Sequence, residues 1–461
     1  MRTIRIGNGA GFWGDSLDAP RRLVESTPLD FLTLEYLAEL TLSILAHQKS
    51  RDPNAGFVAD VVPVISSLVP AIQSQPRLRI VTNGGGMNPD GCAGQVARVL
   101  LAAGLGDVTI GVASGDDLLP LVDPLQGRGE SFANLDDPNA SFASIRPRLA
   151  SANAYLGAEG IVECLEQGAR IVITGRVADA SLTVGPAIHE FGWKQDDVPF
   201  LAAATVAGHL IECGAQVTGG MCTAWNGDYS LSRIGYPVAE IDEAGHVWIT
   251  KPPGTGGRVS PETVSEQLVY EIGDPRAYLT PDVTADFSNV QLVPDGIERV
   301  AVRGAAGTAR PDRLKVSASY RDGYLAVGTL VVCGREAIAA ACETGRLVIE
   351  RVEAAGVKPR NSHVEVLGRG DVAPGLTSDG AIFETVVRVA VHTGSKADAD
   401  RFIREFSPLV GSGPPGVTGY TGPRARPVPV FSHWPTTIAR EHVGVKVGVS
   451  SAAEWAAGGA S

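Results

Sequence analysis

The chain has 461 residues, 44% of them apolar and 20% charged, which is enough for two compact units rather than one. Its 39 Lys plus Arg stand against 51 Asp plus Glu, a formal charge of -12. Without a basic run it lacks the electrostatic footprint that DNA, RNA or an anionic membrane surface requires.

The N-terminal MRTIRIGNGAGFWGD reads as a strand and a glycine turn, with no apolar core of a signal peptide. The cysteines at 92, 164, 213, 222, 333 and 342 form no C-x-x-C pair, as suits a reducing cytosol. The longest apolar stretch, 200–211, is broken by Gly208 and His209 and is too short to span a bilayer. The expectation is a soluble cytoplasmic protein with no metal and no cofactor.

Apolar runs at 3–6, 31–34, 78–82, 108–112 and 170–174 predict strands. Helical periodicity at 37–48, 58–73, 92–103, 154–167 and 181–191 places helices between or after them, the pattern of βαβ units. Near-continuous apolar strands imply helices on both faces. Asn88-Pro89-Asp90 supplies a cap, a first-turn proline and an acid, and Gly104 and Gly168 stop the helices before them. After about residue 240 the texture becomes alternating and β-branched, with a hairpin signal at Arg321-Asp322-Gly323 and helices at 335–355 and 396–406. The Gly/Pro segment 411–422 reads as a connector or lid. The predicted fold is therefore α/β, an open and mainly parallel sheet with helices on both faces over residues 1–240. A smaller α+β domain with a mostly antiparallel sheet follows over 241–461.

Ligands of open parallel sheets bind outside the carboxyl ends of the strands. The first strand is followed by Gly9-Ala10-Gly11-Phe12-Trp13-Gly14 and Asp15, the second by Glu35. This matches G-x-G-x-x-G with an acid about 20 residues on, the pattern of dinucleotide binding. The bulk of Phe12 and Trp13, and a helix start at Asp18-Ala19-Pro20, favour a plain tight turn instead. The third strand leads into Asn83-Gly84-Gly85-Gly86 and the cap Asn88, which reads equally as an anion-binding nest or as a turn. The fourth leads to Ser114, Asp116 and Asp117. The fifth leads to Thr174-Gly175-Arg176, with Asp179 beyond; Arg176 offers a planar fork for a carboxylate, or it pairs with Asp179. His209, Glu212 and Cys213 would share a helix face as a base and thiol or as metal ligands, but core packing is the stronger reading. No Walker loop, H-E-x-x-H or G-x-S-x-G occurs.

Several segments together carry a family likeness: GNGAGFWGD at 7–15, DFLTLEYLAE at 30–39, VTNGGGMNP at 81–89, ITGRVADASLTVGP at 173–186 and GAQVTGG at 214–220. With KPPGTGG at 251–257 and DPRAYLTPDV at 274–283, the chain resembles the acyclic terpene utilisation (AtuA-type) family. The resemblance implies catabolism of citronellol- and geraniol-type compounds, whose acids travel as CoA thioesters. It implies carboxylate or acyl-CoA chemistry, with hydration or carbon–carbon cleavage of branched hydroxy-acids. Longer members continue into a small ferredoxin-like domain, which implies a separate small ferredoxin-like subunit here. No catalytic residues come with the resemblance.

The residues thus suggest a lyase, a hydro-lyase first. Asp15, Glu35 and Asp179 would share the acid and base roles. Arg176 and the nest Asn83, Gly84, Gly85 and Gly86 would hold the anion, with Asn88, Ser114, Asp116 and Thr174 completing the substrate side. Two alternatives stand beside it: an NAD(P)-dependent oxidoreductase using Gly9–Gly14 and Glu35, and a non-catalytic acyl-CoA-binding subunit. A homo-oligomer is expected on general grounds.

Overall fold

The structure is a computed structural model and describes residues 2–375, 380–422 and 425–458. The chain divides into two units, Met1–Ser319 with His433–Ser461, and Tyr320–Ser432.

The five apolar runs of the N-terminal half become β1 (Thr3–Asn8), β2 (Phe31–Leu34), β3 (Arg79–Thr82), β4 (Thr109–Ser114) and, after β5 (Leu149–Ala154), β6 (Ile171–Thr174). They pair in parallel in the order β1-β2-β3-β6-β4. Their side chains alternate between two cores. Phe31, Val81 and Val172 face one, and Leu32, Ile80, Ile171 and Ile173 the other. Both faces are covered, so these strands are mostly apolar, with Arg5 and Thr33 the polar residues inside them.

The sheet does not stop there. β7 (Val238–Asp242) and β8 (Val247–Thr250), then Arg299–Arg303 and Gln291–Pro294, continue it antiparallel beyond β1. Lys446–Ser451 closes the other edge antiparallel to β4. The result is a ten-stranded mixed sheet rather than a mainly parallel one. The change of texture near residue 240 marks the switch from parallel to antiparallel pairing within one unit, not the expected boundary between 1–240 and 241–461. The alternating pattern suits a second unit, but β7 and β8 bury residues such as Val238, Ile241 and Ile249 in the cores of the first.

Local chemistry explains most boundaries. Asn88 Oδ1 accepts from Gly91 N at 3.1 Å and starts the helix Pro89–Ala102, and Gly104 and Gly168 take positive φ after their helices. The region read as a helix over 154–167 instead holds the end of β5 and a shorter helix, Glu159–Glu166. Arg321-Asp322-Gly323 does not turn a hairpin, because it lies inside the unbroken strand Arg313–Cys333. There Gly323 adopts φ +92, and the Asp322 carboxylate accepts from Arg360 Nη1 at 2.7 Å and Ser432 Oγ at 2.8 Å.

In the second unit residues 324–333 pair antiparallel with Glu384–Thr393, which pairs antiparallel with Asn361–Val366. The helix Ala337–Ala354 shares a core of Val348, Val352, Val387 and Val389 with them. All six cysteines are free thiols. Among the described residues no helix is long and apolar enough to cross a membrane.

Candidate functional site

Three turns at the carboxyl edge of the parallel strands open onto one cavity of about 800 Å3 in the first unit, a volume typical of small-molecule sites. Gly11, Phe12 and Asp15 come from the turn after β1, Glu35, Leu37, Ala38 and Glu39 from the turn after β2, and Arg176, Ala178 and Asp179 from the turn after β6. The apolar helix Val198–Glu212 supplies His209, Glu212 and, just past its end, Cys213. Asn8, the last residue of β1, pins that helix end over the sheet. Its Nδ2 donates to the carbonyls of Ile211 at 2.7 Å and Glu212 at 2.9 Å.

Arg176 is buried on the cavity wall. Its guanidinium stacks 4.0 Å from the centre of the Tyr155 ring, Nη2 lies 2.9 Å from Asp179 Oδ1, and Nη1 donates to the Leu37 carbonyl. Only Nε has no partner. Much of the fork foreseen as a substrate clamp is therefore taken by the pair with Asp179. Burial pushes the Asp179 carboxyl up to about 7, against the pull of Arg176 and with the help of the negative Glu212 and Glu39.

Glu35 is also raised well above the ordinary carboxylate range, by burial first and then by Asp179. Both its oxygens are engaged, one by Leu37 N at 2.8 Å and the other by Asn83 Nδ2. Asp15 is similarly committed, accepting from Gly11 N at 2.9 Å, Ser16 N at 2.6 Å and the Tyr236 hydroxyl. Both line the cavity, as expected, but as fixed parts of its wall.

His209 and Glu212, set aside in the sequence as core packing, form a dyad on the wall. Nδ1 of His209 lies 3.1 Å from Glu212 Oε1, and Nε2 lies 2.9 Å from the Gln267 carbonyl. Burial works to lower the His209 pKa, but the hydrogen bond and charge of Glu212, with two nearby carbonyls, carry it upward. Oε2 of Glu212 is unpartnered. Opposite charges recur at Glu39, whose Oε1 accepts from Tyr155 Oη at 2.7 Å and Lys315 Nζ at 2.9 Å. Burial would raise Glu39, but Lys315 and Tyr155 hold it below the usual range. The outer wall is different in kind. Phe12, Leu135, Met221, Tyr270 and Leu279 all line the cavity and are all exposed.

The remaining expected residues stand behind this wall. Asn83 anchors Glu35, and its Oδ1 accepts from Tyr36 N at 2.9 Å. Gly84, Gly85 and Gly86 are buried where chains press together: a Cβ at Gly84 or Gly86 would collide with Val61 or Leu45, and one at Gly85 would lie 2.5 Å from the Thr174 carbonyl. Two of their N–H groups are already used within the turn, by Thr82 Oγ1 and by the Asn83 carbonyl. Asn88 caps its helix and donates to Pro53 and Ala55. Thr174 is buried and bonds the Gly175 carbonyl, and Ser114 pairs with Lys446 in the sheet. Asp116 accepts from Asn153 Nδ2 at 2.7 Å and Arg176 N at 3.0 Å, bracing the Arg176 turn; burial lifts its carboxyl to about 6.

Tyr155, Glu39 and Lys315 carry no signal in the sequence. The His209–Glu212 dyad does, as a polar pair spaced i, i+3 in an otherwise apolar helix, although core packing is the stronger sequence reading there. Among the described residues no group of three or more His, Cys, Asp and Glu side chains converges as a metal ion would need.

The cavity, with charged side chains on its buried wall and exposed apolar groups around it, lies at the strand ends of a mixed α/β sheet, where such folds commonly hold small molecules. The chain belongs to the acyclic terpene utilisation family AtuA, whose model matches residues 4–449. Its family is one of acyclic terpene utilisation, in keeping with terpenoid catabolism. No curated protein and no solved structure matches the chain.

Proposed function

We propose that the chain is a lyase, a hydro-lyase before a carbon–carbon lyase, acting on a branched hydroxy-carboxylate or its CoA thioester in terpenoid breakdown. The observation that carries this reading is Asp179. It lines the cavity beside Arg176, and burial raises its carboxyl to about 7, which suits a group that gives up a proton. Glu212 lines the same cavity, and its Oε2, buried in the wall, has no hydrogen-bond partner.

In the dehydration direction Glu212 takes the proton on the carbon beside the carbonyl. The freed electron pair forms the carbon–carbon double bond as the bond to the hydroxyl breaks, and the hydroxyl leaves as water with the proton of Asp179. His209 holds Glu212, and the positive Arg176 offsets charge that builds on the carbonyl oxygen. The exposed apolar mouth suits a branched hydrocarbon tail.

The nicotinamide alternative has less support. The helix that follows the first turn begins only at Ala19, and a Cβ at Gly11 would lie 2.6 Å from the Cys213 backbone, so Gly11 serves close packing. Both oxygens of Glu35 are already bonded within the protein. A non-catalytic acyl-CoA-binding subunit would use the same cavity without turnover. Incubation with branched 3-hydroxy acids and their thioesters, with products followed by mass spectrometry, separates the readings. Loss of water supports a hydro-lyase, two fragments a carbon–carbon lyase, binding without change the subunit, and conversion only with NAD(P) the oxidoreductase. Self-association, and a small ferredoxin-like subunit in the active assembly, belong to this proposal too. A monomer mass in sedimentation at micromolar concentration counts against the first.

A further inference from the structure

The helix Pro261–Leu268 buries Thr263, Val264 and Gln267 within the first unit. A capping box fixes its start, where Ser260 Oγ accepts from Thr263 N at 3.4 Å. Glu266 ties its outer face to a neighbouring segment, accepting from Thr223 N at 3.1 Å. Gln267, in the last turn, is fully buried and lies behind the cavity wall rather than among the residues that line it. Burying an amide costs free energy unless its groups are paired. Here only half of it is. Nε2 donates to the His209 carbonyl at 3.0 Å, while Oε1 has no partner. The backbone of the same residue also meets His209, with its carbonyl 2.9 Å from Nε2 of the ring. Gln267 thus holds His209 at two points, one on the main chain and one on the imidazole.

These contacts count the protons on the ring. A carbonyl oxygen only accepts, so Nε2 carries a hydrogen. Nδ1 lies 3.1 Å from Glu212 Oε1, and a proton lies in that contact too, since two acceptors would repel each other. Two features place it on the ring. The Gln267 carbonyl belongs to the negative end of its helix dipole, which favours a cation. Glu212 and the carbonyls of Gln267 and Leu268 also raise the His209 pKa against the effect of burial. The ring's other close neighbours are uncharged. Tyr278 and Phe287 flank it with centroids at 5.6 and 5.4 Å, and burial keeps the Tyr278 hydroxyl and the Cys213 thiol neutral. Farther out stand Asp179, Arg176 and Glu271, which act on Tyr278.

We infer that Gln267 is a positioning residue for the proposed base: by holding His209 at two points it keeps the imidazole doubly protonated and Glu212 ionised beside it. An ionised Glu212 can take a proton from a substrate. A Glu212 whose own proton was shared with a neutral His209 could not. The inference rests on the reading of Glu212 as the base, and it adds a residue that never touches the substrate.

The test is 15N NMR of the whole chain labelled at histidine, with His209→Gln identifying the His209 signals among the eight histidines. At about pH 7.5, one unit above the ordinary value of 6.5, a free imidazole is about nine-tenths neutral. The expected result is a hydrogen on both ring nitrogens of His209 in wild type at that pH. In Gln267→Met, which keeps the length of the side chain but lacks the donor, one nitrogen should be bare. Turnover of 3-hydroxy-3-methylbutyrate or its CoA thioester by this variant should fall about three- to tenfold in kcat, the size of one lost hydrogen bond, with KM unchanged. A bare nitrogen in wild type overturns the inference, and that spectrum needs no variant to fold. A Gln267→Met chain whose His209 keeps both hydrogens, with only the thermal midpoint lowered, overturns it as well. Double protonation that depends on Gln267, in a chain that converts no hydroxy acid, leaves the positioning role standing and sinks the lyase reading. Conversion that is lost in Glu212→Gln, with His209 neutral in wild type, does the reverse.

Discussion

The turns after β1, β2 and β6 leave the same edge of the sheet as the turns after β3 and β4, and both sets are rich in glycine and polar side chains. The first set lines the large cavity. The second holds the first in place, Asn83 against Glu35 and Asp116 against the backbone of Arg176. Composition does not separate the two sets; Arg176 does. Asn83, Asn88 and Asp116 spend their polar atoms on neighbouring turns, as Asp15 and Glu35 do in the first set, whereas Arg176 Nε, buried in the cavity wall, has no partner. A strand-end rule finds the edge. Which turn meets a ligand depends on which polar groups the fold has already used.

This contrast breaks first at Asp179. Asp179→Asn removes the proposed acid and should lower turnover by about 10^2- to 10^4-fold without lowering the thermal midpoint. Asp116→Asn should lower it by less than about tenfold, since an amide oxygen still accepts from Arg176 N. Equal losses in a steady-state assay would erase the distinction between lining and bracing turns.

Gly85→Ala sharpens the same contrast through stability. The new Cβ would stand 2.5 Å from the Thr174 carbonyl and 2.9 Å from Ile173 Cγ2, so overpacking should cost about 1–3 kcal/mol in denaturant unfolding. Ligand affinity of the folded fraction should not change. A loss of affinity with unchanged stability would restore the anion nest.

A smaller effect is the pH dependence of stability. The carboxyls of Asp116 and Asp179 are raised in the folded state, to about 6 and about 7. Between about pH 4 and pH 7 the native state therefore binds more protons than the unfolded state, and stability must fall as pH rises through that window. Asp116→Asn should flatten the lower part of the decline. Thermal midpoints across this range check the sign; a rise attributable to these groups would refute the assignment. The smallest effect is expected at the rim. Met221→Ser should leave the midpoint unchanged, since Met221 is 88% exposed, and raise KM for a long branched substrate by about three- to tenfold.

Much of this was legible in the sequence, for physical reasons that differ by residue. The five parallel strands were visible because they are buried on both faces. Asp15, Glu35, Arg176 and Asp179 were found together because each closes or follows such a strand. The extent of the sheet was not legible: β7 and β8 alternate like strands of a separate domain, and nothing local records that they pair beside β1. Tyr155 and Lys315 reach the site from 21 residues before and 139 residues after Arg176, with no pattern linking them. His209 and Glu212 were in view, but an apolar helix offered packing as an equal account until Asn8 was seen to hold its end over the strands.

The most direct test is solvent exchange at the carbon the lyase must deprotonate. The chain would be incubated in deuterated water with a branched 3-hydroxy acid and with its CoA thioester, and deuterium at the carbon beside the carbonyl followed by NMR. If Glu212 and Asp179 do the chemistry proposed for them, wild type forms the unsaturated product and, by adding deuterated water back across its double bond, places deuterium beside the carbonyl of the recovered hydroxy acid, and Glu212→Gln and Asp179→Asn each lose at least about 100-fold of that rate. Exchange and product formation that continue undiminished in both variants, or a wild type that binds these compounds and neither exchanges nor converts them, would contradict the lyase reading of the cavity.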